Sequence, residues 1–381
     1  MTDVRDESGI RVSPGIPRHM TVAVLGATGA VGREVCGALS RAGLPVRAAA
    51  RSIGTADLPA CIEARPVDIA DPGALQAFCA GSRLVVNCAA PSSRTSEPVA
   101  RAAARCGVDL VDAGDHDVSV RGAAVVVRAA GMAPGLSELL VRRASFGLGS
   151  VARVVTQLGG LDRFAAGGAA DYLAGLGHDS GAGLAWRSGA NAPSPSGVHR
   201  AVDLPPFRER VDVHPFLSAD LVRTLRALSI PEADAYVVFP GEAVRSLLSR
   251  LGTRTTDPRP EDVAALRRAA ELDLAGRQPY HVLRAQAHSP AGESRNMLRH
   301  TVVIRIPSAT VATAATVAQT AAAVLAGRVP PGCHHAADVL DPHIDMDAAV
   351  AHAGGTIWES TEQITLDDTD PDADAVEEGM L

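Results

Sequence analysis

The chain has 381 residues, a net charge of −7, a pI near 5.9 and only 3% aromatic residues. A chain of this length favours two domains over one, and the acidic balance with few aromatic rings argues against a nucleic-acid partner. Every basic residue is arginine. The absence of lysine excludes a lysine Schiff base, a Walker-type phosphate loop and the Tyr-x-x-x-Lys pair of standard short-chain dehydrogenases.

The N-terminal residues 1–19 are polar and contain the helix breakers Pro14, Gly15 and Pro17. We interpret them as a flexible tail without a secretory signal and expect a cytoplasmic protein. The six cysteines are scattered without a CxxC pair, as is typical of reduced thiols in a reducing compartment.

The first predicted element is a β-branched strand, Thr21 to Leu25, followed by the turn GATGAVG and an apolar helical repeat. This order predicts a dinucleotide-binding unit. Gly26 would turn the chain out of the sheet, Gly29 would admit a pyrophosphate, and Gly32 would let helix and strand pack closely. The spacing is GxxGxxG rather than GxGxxG, so a glycine-rich turn in any α/β domain remains the alternative.

The second strand, 46–50, ends at Arg51 and Ser52. An NAD-selective site carries an acidic residue at this strand end, whereas an arginine with a hydroxyl suits a 2′-phosphate. We therefore predict NADP(H). The alternative is a surface arginine in an arginine-rich chain.

The alternation of strands and helices continues through residue 137. Strands are predicted at 65–69, 84–91, 108–112 and 123–128, and helices at 71–78 and 98–106. Asp68 and Ile69, at the end of the third strand, would flank the adenine. The pattern predicts an α/β fold with a Rossmann-type, doubly wound parallel sheet.

Several motifs in order resemble the saccharopine dehydrogenase-like family, which includes saccharopine reductase and carboxynorspermidine dehydrogenase. They are VLGATGAVG, VDIAD, VVNCAAP, AARCGVDLVDAGD, AGMAPGLSELL and, near the C-terminus, AGRVPPGCHHAADVLDP. The resemblance covers about the first 140 and the last 75 residues. It implies a Rossmann domain interrupted by a second, α+β substrate and dimerisation domain, and hence a homodimer.

The resemblance also implies positions for the cofactor. Those near the pyrophosphate are Thr28, Gly29, Ala30 and Val31, and those near the ribose phosphate are Arg51 and Ser52. Asp68 and Ile69 match the adenine positions. The positions near the nicotinamide are Cys88, Ala89, Ala90, Met132, Ala133 and Pro134, while Gly114 and Asp115 match a loop between cofactor and substrate.

The predicted domain limits follow from these segments: a tail at 1–19, the Rossmann domain at 20–137, the middle domain at 138–306, a returning segment at 307–358 and an acidic disordered tail at 359–381. In the middle domain, residues 181–200 are rich in Gly, Ser and Pro, which indicates a lid or a disordered excursion. Residues 308–327 are uncharged for a membrane-spanning length, but their Ala and Thr favour a packed helix over a membrane segment.

Catalytic side chains are less clearly marked. Asp115 is our first candidate to stabilise a cationic C=N substrate, and His178 with Asp179 lies in a polar cluster that could place an acid or base or be a solvated loop. Arg163 and Arg187 could hold a substrate carboxylate or be surface charges, and Tyr172 lies near the same cluster. For His334, His335 and His343 we favour a loop over a metal site, because their spacing matches no helical metal motif.

The nucleotide-binding turn and Arg51 predict an NADP(H)-dependent oxidoreductase, and the family resemblance implies that it reduces a C=N bond, or oxidises a secondary amine, on an amino-acid-like substrate. The proton could come from a side chain or from the substrate itself. Two alternatives stay open. They are a trans-acting enoyl reductase acting on C=C, and a redox sensor that binds NADP(H) without turnover.

Overall fold

The computed structural model describes residues 21–53, 58, 62–118, 124–178, 181–251, 258–290 and 296–365, except for the side chains of Gly177 and His178. The chain divides into two compact units. The first contains Met1–Leu139 and Ala309–Gly354, and the second contains Leu140–Ser308 and Gly355–Leu381. Each unit has its own β-sheet.

The sheet of the first unit is parallel throughout. Its strands are β1 (Val22–Leu25), β2 (Val46–Ala50), β3 (Glu63–Pro66), β4 (Leu84–Asn87), β5 (Asp109–Asp112), β6 (Val125–Arg128) and β15 (Gly332–His335). The order across the sheet is β15-β6-β5-β4-β1-β2-β3. Chain order reverses between β1 and β4, and this is where doubly wound sheets bind ligands, outside the carboxyl ends of the strands.

Helices connect these strands. They are α1 (Ala30–Arg41), α2 (Pro72–Cys79), α3 (Ser92–Cys106), α9 (Ala309–Leu325), α10 (Ala336–Val339) and α11 (Ile344–His352), and α4 (Leu136–Ser145) contains the division between the units. Strands β1, β4 and β5 are buried along their full length, as expected for a sheet covered on both faces. Helix α9 is alanine-rich because its small side chains pack closely on α1, where Ala318 and Ala322 contact Ala38.

The second unit is built on a mixed sheet. Its strands are β7 (Arg153–Leu161), β8 (Leu184–Arg187), β9 (Ala190–Pro193), β10 (His199–Val202), β11 (Val211–Pro215), β12 (Glu232–Phe239), β13 (Tyr280–His288), β14 (Asn296–Ile306) and β16 (Thr356–Thr365). The main order is β10-β11-β12-β7-β13-β14-β16, and the hairpin β8–β9 joins through β12. The helices are α5 (Ala166–His178), α6 (Ala219–Ala227), α7 (Glu242–Leu251) and α8 (Pro260–Leu274). A parallel Rossmann-type sheet with a second mixed-sheet unit confirms the predicted fold class.

Two predictions for irregular structure are wrong. Residues 181–200 contain the hairpin β8–β9, in which Leu184, Ala185 and Trp186 pair with Pro193, Ala192 and Asn191. They also contain the first two residues of β10. Residues 359–365, assigned to the acidic tail, belong to β16, which pairs antiparallel with β14 from Arg305 to Asn296. In both segments, pairing with a distant strand satisfies backbone groups that local composition marks as loop. Residues 1–20 and 366–381, which include both predicted tails, lie outside the described residues.

Helix α9 settles how the uncharged stretch at 308–327 folds. Thirteen of its side chains are buried, and most of them are alanine or threonine. Among the helices of the described residues, none has both the length and the apolar character needed to cross a membrane.

Candidate functional site

The glycine turn after β1 lies at the carboxyl edge of the parallel sheet. It requires glycine at positions 26 and 32, because a side chain at either position would clash with backbone atoms. Gly26 has φ +74°, and a Cβ there would lie 2.6 Å from the Ala89 nitrogen. A Cβ on Gly32 would lie 2.2 Å from the Gly26 carbonyl oxygen. Helix α1 therefore packs directly on the turn, as predicted from the motif.

The N-terminus of α1 provides hydrogen-bond donors for an anion. Its N-cap is Gly29, which makes no side-chain capping bond, and the first turn has no acidic residue. Gly29 and Ala30 are exposed, while Thr28 and Val31 are half-buried. Unsatisfied amides and the positive end of the helix dipole at an exposed turn fit a pyrophosphate group.

The expected adenosine side lies beyond β2 and β3. Arg51 and Ser52 are exposed and follow directly after β2. Asp68 is exposed two residues after β3, where its carboxylate accepts a hydrogen bond from the Ala70 amide at 3.0 Å, and Ile69 is half-buried. An exposed guanidinium with a neighbouring hydroxyl fits a ribose 2′-phosphate at this strand end.

A buried hydrogen-bond network supports the loops after β4 and β5. Asn87 donates to Asp112 at 2.9 Å and accepts from the Ala89 amide at 3.1 Å. Asp112 in turn accepts from the Gly114 amide at 2.8 Å, and the Thr95 hydroxyl donates to the Ala89 carbonyl at 2.8 Å. Sequence analysis missed Asn87, Thr95 and Asp112. Asn87 and Asp112 each end an apolar strand. Because buried polar groups need hydrogen-bond partners, this pattern could have indicated that the two side chains bind each other.

Cys88 and Ala89 are half-buried in the loop after β4, and Ala90 is exposed. Burial raises the pKa of the Cys88 thiol well above its usual range, with smaller contributions from Cys36 and Asp112. A raised pKa favours the protonated thiol over the nucleophilic thiolate at neutral pH. Cys88 contributes a neutral surface at the predicted nicotinamide end.

The loop with Met132, Ala133 and Pro134 is held at both ends. The Met132 amide donates to the Thr313 hydroxyl of α9 at 3.2 Å. The buried Glu138 carboxylate accepts from the Gly135 amide at 2.6 Å and from the Ser137 hydroxyl at 2.8 Å. Glu138 therefore stabilises a predicted cofactor loop, a role that sequence analysis did not identify.

Asp115 lies in a cluster of charged groups after β5. Its Oδ1 is 3.7 Å from a guanidinium nitrogen of Arg128 and 3.3 Å from Nε2 of His335. Nδ1 of His335 is 3.9 Å from the Asp338 carboxylate. Burial lowers the pKa of Arg128, but the charges of Asp115 and Asp117 outweigh it and the net shift is upward. The loop predicted for His334 and His335 is wrong, because both residues belong to β15, which pairs with β6 in the folded sheet.

The second-unit candidates have different environments. Arg187 donates to the Asp234 carboxylate at 2.5 Å and to the carbonyls of Trp186 and Ala233 at 2.8 Å. These acceptors fix the Arg187 guanidinium within the second unit, and its predicted contact with a substrate carboxylate stays a prediction. The alternating pattern of the strand around Asp234 could have predicted a buried carboxylate that needs a basic partner such as Arg187.

Tyr172 packs against Phe164, with ring centroids 5.4 Å apart, in an apolar cluster of α5, α7 and α8. Burial raises its pKa to about 12, so its hydroxyl stays protonated at neutral pH.

Arg163 is exposed on an open cavity of about 680 Å³ that Asp162 and Glu271 also line. His178 is the last residue of α5, its side chain lies outside the described part of the structure, and Asp179 lies outside the described residues altogether.

Comparisons with solved structures give partial matches. A Burkholderia pseudomallei protein described as exported is 29% identical, with 25% of this chain and 48% of that chain covered and a TM-score of 0.22. A wide-type short-chain dehydrogenase/reductase from Veillonella parvula DSM 2008, in complex with NADP, is 16% identical, with 24% and 46% covered and a TM-score of 0.23. A Rossmann-fold NAD(P)-binding protein from Shigella flexneri is 20% identical, with 24% and 50% covered and a TM-score of 0.22. The aligned part is about half the length of each of these proteins.

Curated protein sequences contain no match to this chain. A match to a family does exist, and it covers the glycine turn, the strand ends and the loops described above. Residues 22–132 match the family described as the saccharopine dehydrogenase NADP binding domain. This confirms, for the matched part of the first unit, the predicted resemblance and the predicted NADP(H) cofactor.

Proposed function

We propose that the protein is an NADP(H)-dependent oxidoreductase that reduces a C=N bond, or oxidises a secondary amine, on an amino-acid-like substrate. The observation that carries this proposal is the turn at Gly26 and Gly32, which brings an uncapped helix N-terminus to the reversal point of a parallel sheet. When bound there, NADP(H) supplies or accepts the hydride.

The chain's own residues would first bind and orient the cofactor. The amides of Ala30 and Val31 would bind the pyrophosphate, while the Gly29 amide donates to the Gly26 carbonyl at 2.9 Å and closes the turn. Arg51 with Ser52 would hold the 2′-phosphate. The residues that would hold the nicotinamide half follow the carboxyl ends of β4, β5 and β6. The loops held by Asn87, Asp112 and Glu138 lie at those strand ends, and their rigidity supports alignment of a hydride donor and acceptor.

Asp115 would stabilise the substrate. A C=N carbon accepts hydride more readily when its nitrogen is protonated, and a fixed carboxylate stabilises that positive charge. Contacts with Arg128 and His335 orient the Asp115 carboxylate. In the oxidative direction the ammonium nitrogen must lose a proton before hydride leaves, and Asp115 or the solvent can accept it.

The test is a turnover assay with the full chain and NADPH. We would compare imines formed from a keto acid and an amine, preformed secondary amines with NADP⁺, and enoyl thioesters, each followed by nucleotide absorbance. Turnover of imines or amines supports the proposal. Turnover of enoyl thioesters alone assigns C=C reduction instead, and stoichiometric NADPH binding with no turnover on any substrate assigns a redox sensor.

A further inference from the structure

The second unit contains a group of arginines around one tyrosine ring. The guanidinium carbons of Arg208 and Arg305 lie 5.4 Å and 5.3 Å from the ring centroid of Tyr280. Arg305 is half-buried on β14, and Arg208 is exposed in the segment between β10 and β11. The ring stabilises both cations through its π face, but it does not neutralise their charge.

The nearby carboxylate is already engaged. Glu209 accepts a hydrogen bond from the Tyr280 hydroxyl at 3.0 Å and forms an ion pair with Arg277. Arg277 also donates to the carbonyls of Asp273 and Pro240, so this pair connects chain segments. The charge of Glu209 also acts on Arg305. The three arginines and this one carboxylate together carry a net positive charge.

Arg305 has an unmet hydrogen-bonding requirement. One of its terminal guanidinium nitrogens is buried and has no hydrogen-bond partner among the described residues. Burial and the charge of Arg208 both lower the pKa of Arg305. Holding two like charges together, one with an unpaired buried donor, costs stability unless an acceptor of opposite charge occupies the site.

We propose that Arg208 and Arg305, supported by Tyr280, form a binding site for a small oxyanion, either the carboxylate or the phosphate group of a small ligand. The planar fork of each guanidinium matches both groups. Arg208 is exposed, so an anion can reach the site from its side. In the absence of the anion, the two arginines repel each other, and binding relieves this repulsion.

The experiment is a calorimetric and thermal-shift titration of the full chain at constant ionic strength, with sodium chloride as the compensating salt. The probes are inorganic phosphate and the dicarboxylate glutarate. They are added to the wild type, Arg305→Gln, Arg208→Gln and the control Arg210→Gln. Arg210 lies in the same segment but forms an exposed pair with Asp203. No nicotinamide nucleotide is present, so the result does not depend on the proposed oxidoreductase function.

We expect saturable binding of at least one probe by the wild type and by Arg210→Gln. Its affinity should fall about tenfold or more in Arg305→Gln and Arg208→Gln. Glutarate binding with no phosphate response assigns a carboxylate ligand, and the reverse assigns a phosphate. We also expect Arg305→Gln to melt at a higher temperature than the wild type in the absence of either probe, because the like-charge repulsion is removed.

Two results would overturn the proposal. One is the lack of saturable binding of both probes by the wild type. The other is unchanged binding in a folded Arg305→Gln variant, which would place the anion elsewhere, for example at the N-terminus of α1. A lower melting temperature of Arg305→Gln together with an unchanged anion response would show that Arg305 only packs against Tyr280.

Discussion

Nε2 of His335 lies 3.3 Å from Oδ1 of Asp115, although the two residues come from opposite ends of the sequence. The contact exists because β15 is the outer neighbour of β6 in the parallel sheet, with His335 opposite Arg128. The C-terminal segment thereby completes the charged cluster at the predicted nicotinamide end of the sheet. Asp115 is consequently an oriented carboxylate rather than a freely rotating one.

Asp115→Asn should lower kcat for imine reduction by about 100-fold, because the amide cannot stabilise the cationic substrate. NADPH affinity should stay close to that of the wild type, since the Asp115 carboxylate is not expected to contact the phosphates. The control is Asp117→Asn, which removes an exposed carboxylate that pairs with the same Arg128. Equal kcat values for the two variants would contradict the role of Asp115.

Arg51→Ala should weaken NADPH binding by about 10- to 100-fold, the range expected for the loss of charge-assisted hydrogen bonds to a phosphate. NADH binding should change little, because NADH has a 2′-hydroxyl in place of the phosphate. Fluorescence titration with both nucleotides measures the two affinities. Arg101→Ala, which removes an exposed arginine paired with Glu97 on α3, is the control. An equal loss of affinity for both nucleotides would remove the basis for 2′-phosphate selectivity at Arg51.

Gly32→Ala should destabilise the first unit by more than about 2 kcal/mol. The added Cβ would meet the Gly26 carbonyl at 2.2 Å, and neither backbone segment can move without separating α1 from β1. Gly37→Ala, in the same helix, is the matched control because its Cβ meets only the flexible end of Arg41 at 3.1 Å. That substitution should stabilise the helix by up to about 1 kcal/mol. Urea denaturation of both variants would show opposite shifts, and shifts of the same sign would contradict the close packing.

Asp234→Asn should destabilise the second unit by about 3 kcal/mol. Asp234 is only 1% exposed and accepts hydrogen bonds from both Arg153 and Arg187. Glu232→Gln is the control, because Glu232 is one-third exposed and lies 3.4 Å from the same Arg187; its effect should stay within about 1 kcal/mol. Comparable stability losses for both variants would show that Arg187 is not fixed by Asp234.

The contact between β16 and α4 should weaken in acid. Partial burial raises the pKa of Glu359, but the hydrogen bond and charge of Arg143, with His300, outweigh it and lower the pKa below its ordinary value of 4.5. A lowered folded-state pKa means that the carboxylate stabilises the fold above the ordinary value, and this stabilisation is lost as the pH falls through the folded-state pKa.

Melting temperatures of the wild type and Glu359→Gln should therefore differ near neutral pH and converge below pH 4.5. Glu362→Gln is the matched control, because Glu362 lies on the same strand and forms a more exposed pair with Arg299. A difference between the wild type and Glu359→Gln that does not depend on pH would contradict this assignment.

Local sequence was sufficient for the nucleotide-binding turn. A strand, a glycine turn and a helix lie within twenty residues, and the steric demands at Gly26 and Gly32 depend on neighbours in that same stretch or just beyond β4. For α3 the prediction began too late, since Pro98 lies inside a helix that starts at Ser92.

What the sequence by itself determined was the alternation of strands and helices in the parallel α/β core and the NADP-binding turn, because these follow from side-chain periodicity and from glycines that act on adjacent backbone. Only the tertiary structure decided that Arg187 is bound to Asp234, that residues 359–365 form an edge strand, and that His335 reaches Asp115. Each of these depends on two segments far apart in the chain. No local pattern specifies which distant residue will pair with a charged side chain, or which distant strand will form backbone hydrogen bonds with an edge strand.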